Sequence, residues 1–345
     1  MAVKKVLFGE TPNKEQVFEY HISNKNNVEV VVINFGVTIK NIFVPDKNGN
    51  RVDVVLGFDD LGGYLKNSCF LGSTVGPTAN RICEAKYKID GKEFSLPVND
   101  GPNNLHTDMD NGFHKRVWDA VEGEDSVKFT LKSADGDLGF AGNRVFEVTY
   151  SLSDDNSLSI HYNATSDANT LINMTNHAYF NLSGKGSILD HTLKLNASHY
   201  TPVIDSAAIP TGEIASVVGT PFDFLAEKTI GKEIEADNAQ LKAVGGYDHN
   251  YVVDDADGSI KEIAVLSSPD TGITMKCFTD LPGVQLYAGN FLEAENAKAG
   301  TSYKHREGVC LETQFYPNSI NQEGFPKPVF GPDKVYDTTT IYQFV

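Results

Sequence analysis

Apolar and polar residues alternate along much of the chain, and this pattern predicts β-strands. In LSIHYNAT (158–165) every second residue is apolar, and VKFTLK (127–132) and FEVTYSL (146–152) alternate in the same way. Successive side chains of a strand point to opposite faces of its sheet. Each segment therefore predicts a strand that buries one face in a core.

Turn residues divide other apolar segments into pairs of strands. Asp90-Gly91 lies in the middle of YKIDGKEFSL (87–96), and an Asp-Gly pair is a strong hairpin signal. Gly36 interrupts the β-branched segment VEVVVINFGVTIKNIFV (28–44). This segment predicts two buried strands around a bend or bulge.

Helical patterns are scarce. The segment KEIEADNAQLKAV (232–244) predicts one helix, and DLGGYLK (60–66) predicts a short helical turn. Strands and helices do not alternate regularly, which excludes a Rossmann-type or TIM-type sheet. No repeat, linker or charge block marks a boundary, so we expect residues 1–345 to form one domain. The predicted fold is all-β, a large antiparallel β-sandwich with very little helix, whose function lies on one concave face and its loops.

The charge of the chain narrows the range of ligands. Its 345 residues are 40% hydrophobic, enough for a substantial core, and carry a formal net charge of −17. Nucleic acids and anionic membrane surfaces are polyanions, so both are disfavoured as partners. A highly phosphorylated substrate is also disfavoured. A neutral small molecule fits better.

Two further features bear on location and redox state. The N-terminal segment has no apolar signal-like stretch, and the chain has no run of about 18 apolar residues. We therefore expect a cytoplasmic protein that does not span a membrane. The four cysteines show no C-x-x-C pairing and are expected to be reduced, buried thiols.

A carboxylate interrupts an apolar strand near the C-terminus. In GVCLETQFY (308–316), Glu312 shares one face of the predicted strand with Cys310 and Gln314. Burying a carboxylate is costly unless it is paired or used. Glu312 is therefore either a functional group or a surface residue that caps a loop or pairs with Lys304 or Arg306.

Other polar residues stand at strand ends and within strands, and each has a structural alternative. In PGVQLYAGNF (282–291), Gln285 and Tyr287 share one face, which suits either hydroxyl recognition or a solvent face. Asp248 follows a glycine pair in GGYDHNYVV and precedes an apolar strand, where it either points into a site or caps a turn.

Two loops upstream carry further candidates. In TVGPTANRI (74–82), Asn80 and Arg81 offer hydrogen-bond donors, although Arg81 is also suited to a surface ion pair. In NDGPNNLHTD (99–108), His106 lies in a turn-rich loop, where a lone histidine is usually solvated.

His177 stands in the middle of NMTNHAYFNLSG (173–184), among amides, hydroxyls and aromatic rings. This segment predicts a strand or strand end that stops at Ser183-Gly184. The imidazole is either a hydrogen-bonded structural group or a proton donor on the floor of a sugar site.

Several common kinds of active site are excluded by spacing. The H-E-x-x-H, paired-cysteine and EF-hand patterns of metal sites are absent from the sequence. The G-x-S-x-G elbow of serine hydrolases is absent too. We therefore expect neither a catalytic metal nor a serine-hydrolase site.

Taken together, six of these motifs resemble the aldose 1-epimerase family, also called galactose mutarotases. The resemblance runs from VINFGVTI (32–39) to the C-terminus. In chain order the motifs are TANRI, NNLH, TNHAYFNLSG, YDHN, PGVQLYAGNF and CLETQFYPNSINQEGFP.

The resemblance implies a galactose mutarotase-like supersandwich and an enzyme that interconverts the anomers of hexoses such as galactose and glucose, with no cofactor. It implies that Glu312 is the general base and His177 the general acid, with Tyr179 as a less certain pocket wall. A neighbouring carboxylate is expected to keep His177 protonated. The implied sugar-contacting residues are Asn80, Arg81, His106, Asp248 and Gln285.

The sequence departs from the family pattern at Pro77, at Thr107-Asp108 and at Arg306. These departures bear on loop shape and substrate preference. Arg306 keeps open the alternative of a hexose-6-phosphate 1-epimerase, and a non-catalytic sugar-binding module is a second alternative. The expected partner is a free monosaccharide, and the expected assembly is a monomer or homodimer.

Overall fold

Antiparallel strands are the main regular elements of the computed structural model, which describes residues 3–345. Strands β1 to β14 are Lys4–Glu10, Gln16–Ser23, Glu29–Ile33, Thr38–Pro45, Arg51–Asp53, Thr74–Val75, Arg81–Ile82, Lys86–Ile89, Lys92–Ser95, Asn104–Leu105, Asp119–Glu122, Ser126–Ser133, Arg144–Leu152 and Ser157–Ser166. Strands β15 to β27 are Thr170–Leu171, Thr175–Asn176, Thr192–Leu195, His199–Tyr200, Ala215–Ser216, Lys228–Thr229, Asp248–Val252, Lys261–Ser267, Thr274–Thr279, Gly283–Tyr287, Cys310–Gln314, Val329–Phe330 and Tyr336–Phe344.

A nine-stranded sheet forms the centre of the molecule. Its strand order is β11-β12-β13-β14-β27-β23-β22-β17-β20, and every pairing is antiparallel. The three alternating segments of the sequence are β12, β13 and β14, and buried residues alternate along them as the pattern predicts. Their buried aromatic and branched side chains pack into the main core.

A five-stranded sheet, β1 to β5, covers part of this core and contains the bend at Gly36. Strands β3 and β4 flank that glycine, as the sequence predicts. Its φ is +67°, and a Cβ there would meet the His114 carbonyl oxygen at 2.6 Å. Only glycine therefore fits the bend. The predicted hairpin at Asp90-Gly91 is also confirmed, as β8 and β9.

A second five-stranded sheet, in the order β19-β18-β21-β24-β25, carries three of the seven candidate site residues, Asp248, Gln285 and Glu312. It shares one hydrophobic cluster with the other two large sheets. The Tyr342 hydroxyl in β27 donates to the Leu311 carbonyl in β25 at 3.0 Å. This contact helps to hold the candidate-bearing sheet on the rigid central sheet.

Helices are few and short. The predicted turn is the helix α1 (Leu61–Lys66), and the second helix, α2, is Ala239–Val244. Six further segments are single 3₁₀ turns: Cys83–Ala85, Phe113–Lys115, Asp137–Gly139, Ile230–Lys232, Lys298–Gly300 and Ser319–Asn321. No helix within residues 3–345 has the length and apolar character needed to cross a membrane.

The helix predicted over 232–244 is wrong for its first half. Asn238 caps α2, because its side-chain oxygen accepts hydrogen bonds from the backbone N–H groups of Gln240 and Leu241. An N-cap residue has extended backbone angles, so the helix begins only at Ala239. The cysteines are free thiols as expected, but Cys69 and Cys83 are only partly buried.

Candidate active site

His177 lies directly after the short strand β16. The regular strand ends before His177, whereas the sequence predicted a strand continuing to Ser183-Gly184. The reason is the backbone bonding of this segment to a neighbouring loop. The N–H of His177 donates to the Ser73 carbonyl at 2.9 Å, and its carbonyl accepts from the Gly72 N–H at 3.0 Å. The loop thus fixes the histidine's backbone in place.

Glu312 lies in the middle of β25, and the adjacent strands place other candidates beside it. Glu312 is directly opposite Gln285 of β24, and Tyr287 of β24 is opposite Asp248 of β21. Asp248 is the first residue of its strand rather than part of the preceding loop, because its pairing with Tyr287 extends the ladder. Residues distant in sequence therefore meet on neighbouring strands.

These side chains surround a cavity of about 220 Å³. Its walls include both proposed catalytic residues and all but one of the proposed sugar contacts. The exception is Gln285, which does not line the cavity. The lining residues are Ser68, Cys69, Phe70, Asn80, Arg81, Leu105, His106, Met109, His177, Tyr179, Asp248, Tyr287, Phe291 and Glu312.

The proposed acid and base face each other across this cavity. His177 Nε2 and Glu312 Oε1 are 3.6 Å apart, and the two residues are only 5% and 2% exposed. The second carboxyl oxygen of Glu312, Oε2, has no hydrogen-bond partner within residues 3–345. A buried carboxyl oxygen without a partner is costly. Glu312 lines the cavity, so its carboxyl group is a candidate partner for a ligand hydroxyl there.

Burial favours the neutral forms of both groups. It lowers the pKa of His177 to about 4. Burial also raises the pKa of Glu312 well above its usual value, and the nearby Asp248 carboxylate adds to this effect. The expectation that a carboxylate keeps His177 protonated is therefore wrong for this arrangement, because desolvation outweighs the attraction.

Two aromatic rings pack against the imidazole of His177 and fix its orientation. The rings of Tyr179 and Phe70 lie nearly parallel to the His177 ring, with centroids 5.0 and 5.9 Å away and interplanar angles of 25° and 21°. Tyr179 lies on the cavity wall, as the resemblance implied. Phe70 was missed by sequence reasoning because it stands in an irregular loop, at φ +57°, with no periodic pattern around it.

His106 has a defined hydrogen-bonding role. Its Nδ1 accepts the backbone N–H of Asn80 at 3.1 Å, so in the neutral ring the hydrogen is on Nε2. Burial and the neighbouring His177 lower its pKa well below the usual value. His106 is thus a buried neutral donor rather than a solvated loop residue.

The cluster of His106, His177 and Glu312 has side chains of the kinds that bind metals. Their potential ligand atoms lie within 4.8 Å of one another. However, a metal on His106 Nε2 would require the hydrogen to move to Nδ1, which already faces the Asn80 N–H. The geometry therefore suits a hydroxylated ligand better than a metal ion.

Arg81 and Asp248 are charged groups on the cavity wall, each with a partner. Arg81 Nε donates to Asp100 Oδ2 at 2.8 Å. Asp248 Oδ1 accepts from Gln285 Nε2 at 2.7 Å. Burial raises the pKa of Asp248, while Arg81 opposes the shift. Gln285 consequently supports Asp248 from behind, whereas the resemblance implied a direct sugar contact.

The sites of departure from the family pattern lie off the cavity wall. Asp108 Oδ1 accepts the backbone N–H groups of Asp110 and Asn111 and so closes its own turn. Arg306 is buried, pairs with Glu235 and donates to the Gly245 carbonyl. Neither residue lines the cavity. Arg306 therefore does not supply a phosphate site there.

Comparison with known proteins places this arrangement in context. The family model described as aldose 1-epimerase matches residues 19–343. Galactose mutarotase from Bos taurus is 38% identical over 349 residues, covering 100% of this chain and 99% of that protein. Aldose 1-epimerase from Escherichia coli (strain K12) is 38% identical over 329 residues, covering 94% of each chain.

Solved structures agree. Galactose 1-epimerase from Lactobacillus acidophilus NCFM aligns with a TM-score of 0.86 at 29% identity, covering 99% of this chain and 98% of that chain. An aldose epimerase homologue from C. elegans aligns with a TM-score of 0.85 at 33% identity, covering 95% and 98%. The fold is thus the galactose mutarotase fold. The chain belongs to the aldose 1-epimerase family.

Proposed function

We propose that Glu312 and His177 form the proton-transfer pair with which this aldose 1-epimerase interconverts the α and β anomers of free hexoses such as galactose and glucose. The observation that carries the proposal is their placement. An imidazole nitrogen and a carboxyl oxygen stand 3.6 Å apart in a buried polar cavity, with one carboxyl oxygen left unpaired.

The chemistry requires one base and one acid. The base removes the proton of the C1 hydroxyl while the acid protonates the ring oxygen. The bond from C1 to the ring oxygen then breaks, and C1 becomes an aldehyde. Rotation about C1–C2 presents the other carbonyl face, and closure returns both protons. The reaction is balanced without a metal, cofactor or covalent intermediate. Each positioned group is typically worth about 10²–10⁴-fold in rate.

Sugar binding favours the charged forms of the two groups, a Glu312 carboxylate and a His177 imidazolium. A sugar hydroxyl that donates to Glu312 Oε2 favours the carboxylate over the protonated carboxyl. That carboxylate in turn favours a proton on His177. The number of protons on the pair is unchanged by this exchange. Glu312 is then ready to act as base and His177 as acid.

The other cavity residues fit hydroxyl recognition. Asp248 accepts hydrogen bonds, while Arg81 and the Nε2–H of His106 donate them. Phe291, 71% exposed at the edge of the cavity, offers a ring to the apolar face of a sugar. Such groups orient the anomeric carbon between acid and base.

A hexose 6-phosphate is a weaker candidate substrate. Arg306 is bound to Glu235 away from the cavity, and Arg81 is already paired with Asp100. Glu312 and Asp248 add acidic groups to the wall. Arg81 is the only lysine or arginine among the described wall residues, which is little positive charge for a phosphate dianion. A non-catalytic sugar-binding module is disfavoured because acid and base are both in place.

Polarimetry tests the proposal directly. Freshly dissolved α-D-galactose, α-D-glucose and glucose 6-phosphate are followed with and without the protein. We expect the free hexoses to equilibrate at least about 10²-fold faster with protein, and glucose 6-phosphate to respond weakly. Free-sugar rates equal to those in buffer would reject the proposal, and a preference for the phosphate would favour the 6-phosphate epimerase.

A further inference from the structure

We propose that Cys310 is a positioning residue that keeps the proton-donating nitrogen of His177 turned toward the sugar. This inference rests on the proposed function, in which His177 is the acid. Cys310 Sγ lies 3.5 Å from His177 Nδ1, a normal separation for a hydrogen bond to sulfur. Both residues are buried.

The two ring nitrogens of His177 have different surroundings. Nε2 faces Glu312 across the cavity, whereas Nδ1 faces the Cys310 thiol behind it. Within residues 3–345, Cys310 is the only residue whose side chain hydrogen-bonds to Nδ1. The partner of the second ring nitrogen determines where a neutral histidine carries its hydrogen. A sulfur that accepts Nδ1–H leaves Nε2 free to gain and lose the transferred proton.

A thiol has the properties that this position needs. It both donates and accepts weak hydrogen bonds. Its sulfur accepts Nδ1–H in the neutral ring, whose Nε2 is then bare, and goes on accepting it in the imidazolium. The thiol itself stays protonated, because burial and the nearby Glu312 raise the pKa of Cys310 well above its usual value. The contact thus survives each proton transfer.

His106 makes the contrast clear. Its Nδ1 faces a backbone N–H, which can only donate, so that ring is restricted to one neutral form. A histidine that gains and loses a proton in every turnover would lose its partner in such a site. The thiol behind His177 avoids this conflict. It also explains why a cysteine stands two residues before Glu312 on the same strand face.

Two substitutions separate hydrogen bonding from packing. Cys310→Ser keeps a group that donates and accepts, whereas Cys310→Val fills the apolar space and removes the hydrogen bond. Cys277→Ser and Cys277→Val are matched controls, since Cys277 is equally buried but lies in β23 of the central sheet. The measurements are kcat and KM for α-D-galactose and the imidazole ¹⁵N shifts of His177.

We expect Cys310→Val to lower kcat about 10-fold, as for other partners of functional histidines, with KM changed less than about 2-fold. Its His177 ¹⁵N shifts should move toward a mixture of the two neutral forms. Cys310→Ser should retain most of kcat and the wild-type shift pattern. The Cys277 variants should match the wild type in both measurements.

Two results would overturn the inference. One is wild-type kcat and ¹⁵N shifts in Cys310→Val, and the other is a Ser variant as slow as the Val variant, which would assign Cys310 to packing. If the Val variant does not fold, Cys310→Ala provides the same test.

The ¹⁵N shifts do not depend on turnover, so a wild-type protein that fails to anomerise sugars would reject the proposed function while the thiol–imidazole contact remained separately measurable.

Discussion

At the scale of single residues, Glu312 combines complete burial with an unused oxygen. The carboxyl is 2% exposed, and Oε2 has no partner in the described part of the chain. Structural carboxylates are normally paired when buried. A ligand that completes its hydrogen bonding would account for the position, in line with the proposed role of Glu312 as base.

Replacing Glu312 by Gln tests this role. The amide keeps the volume of the side chain but cannot accept a proton, so we expect kcat to fall at least about 10²-fold. Galactose affinity, measured by calorimetry, should change little because the amide oxygen still accepts a hydroxyl. A mutant with near-wild-type polarimetric rates would remove Glu312 from the mechanism.

Sequence reasoning named most of the candidate residues that line the cavity but could not show how they contact one another. Glu312, His177, His106, Arg81 and Asp248 line one cavity, as the motifs implied. By contrast, the motifs could not show which residues stand behind others. Gln285 hydrogen-bonds to Asp248, and Cys310 hydrogen-bonds to His177. Each contact joins two segments that lie far apart in sequence.

At the scale of elements, the loop between α2 and β21 sets the position of Asp248. Gly245 ends the helix at φ +75°, and Gly246 follows at φ +140°. A Cβ on Gly246 would lie 2.5 Å from Asn290 Oδ1. Asn290 also donates to the carbonyls of Val244 and Tyr247, so it holds both sides of the turn. The turn is therefore rigid because of packing.

Gly246→Ala should disturb this turn. The added Cβ must displace Asn290 or shift the backbone that leads to Asp248, at a cost of about 1–3 kcal/mol in unfolding free energy. We expect a higher KM for galactose and a lower midpoint of urea unfolding. Gly258→Ala is the control, since Gly258 also has positive φ (+83°) but no atom lies within 4 Å of the place that its added methyl group would take. Equal effects of the two substitutions would contradict the assigned role of the turn.

The sequence predicted the type of most elements better than their limits. The alternation of apolar and polar residues in β12, β13 and β14 is a local pattern, so it is visible in the sequence alone. The start of α2 depends instead on one capping side chain, Asn238, and the end of β16 depends on contacts with residues about a hundred positions earlier. Such limits are set by tertiary contacts, which override local pattern.

At the scale of the whole molecule, buried histidines link stability to pH. Burial lowers the pKa of five of them. These are His106, His114, His177, His191 and His249. In the unfolded chain each has a pKa near 6.5. Between about pH 6.5 and 4, the unfolded state therefore binds more protons at these positions than the folded state does.

We expect the protein to lose stability as the pH falls from 7 to 5. Excess proton binding by the unfolded state lowers the free energy of unfolding by about 1.4 kcal/mol per proton per pH unit. Glu312, Asp248, Asp280 and His21 have raised pKa values and act in the opposite direction, but these four groups are fewer than the five histidines. Scanning calorimetry at pH 7, 6 and 5 measures the trend. A melting temperature that stays constant or rises toward pH 5 would count against it.

The unpartnered oxygen of Glu312 also limits the stability of the folded protein. An apolar residue of similar size would fit the same space without an unmet acceptor, and the folded chain would gain stability from that exchange. Evolution or design that selected for heat resistance alone would thus tend to remove the proposed base. The chain keeps a buried carboxyl group whose hydrogen bonding a bound sugar would complete.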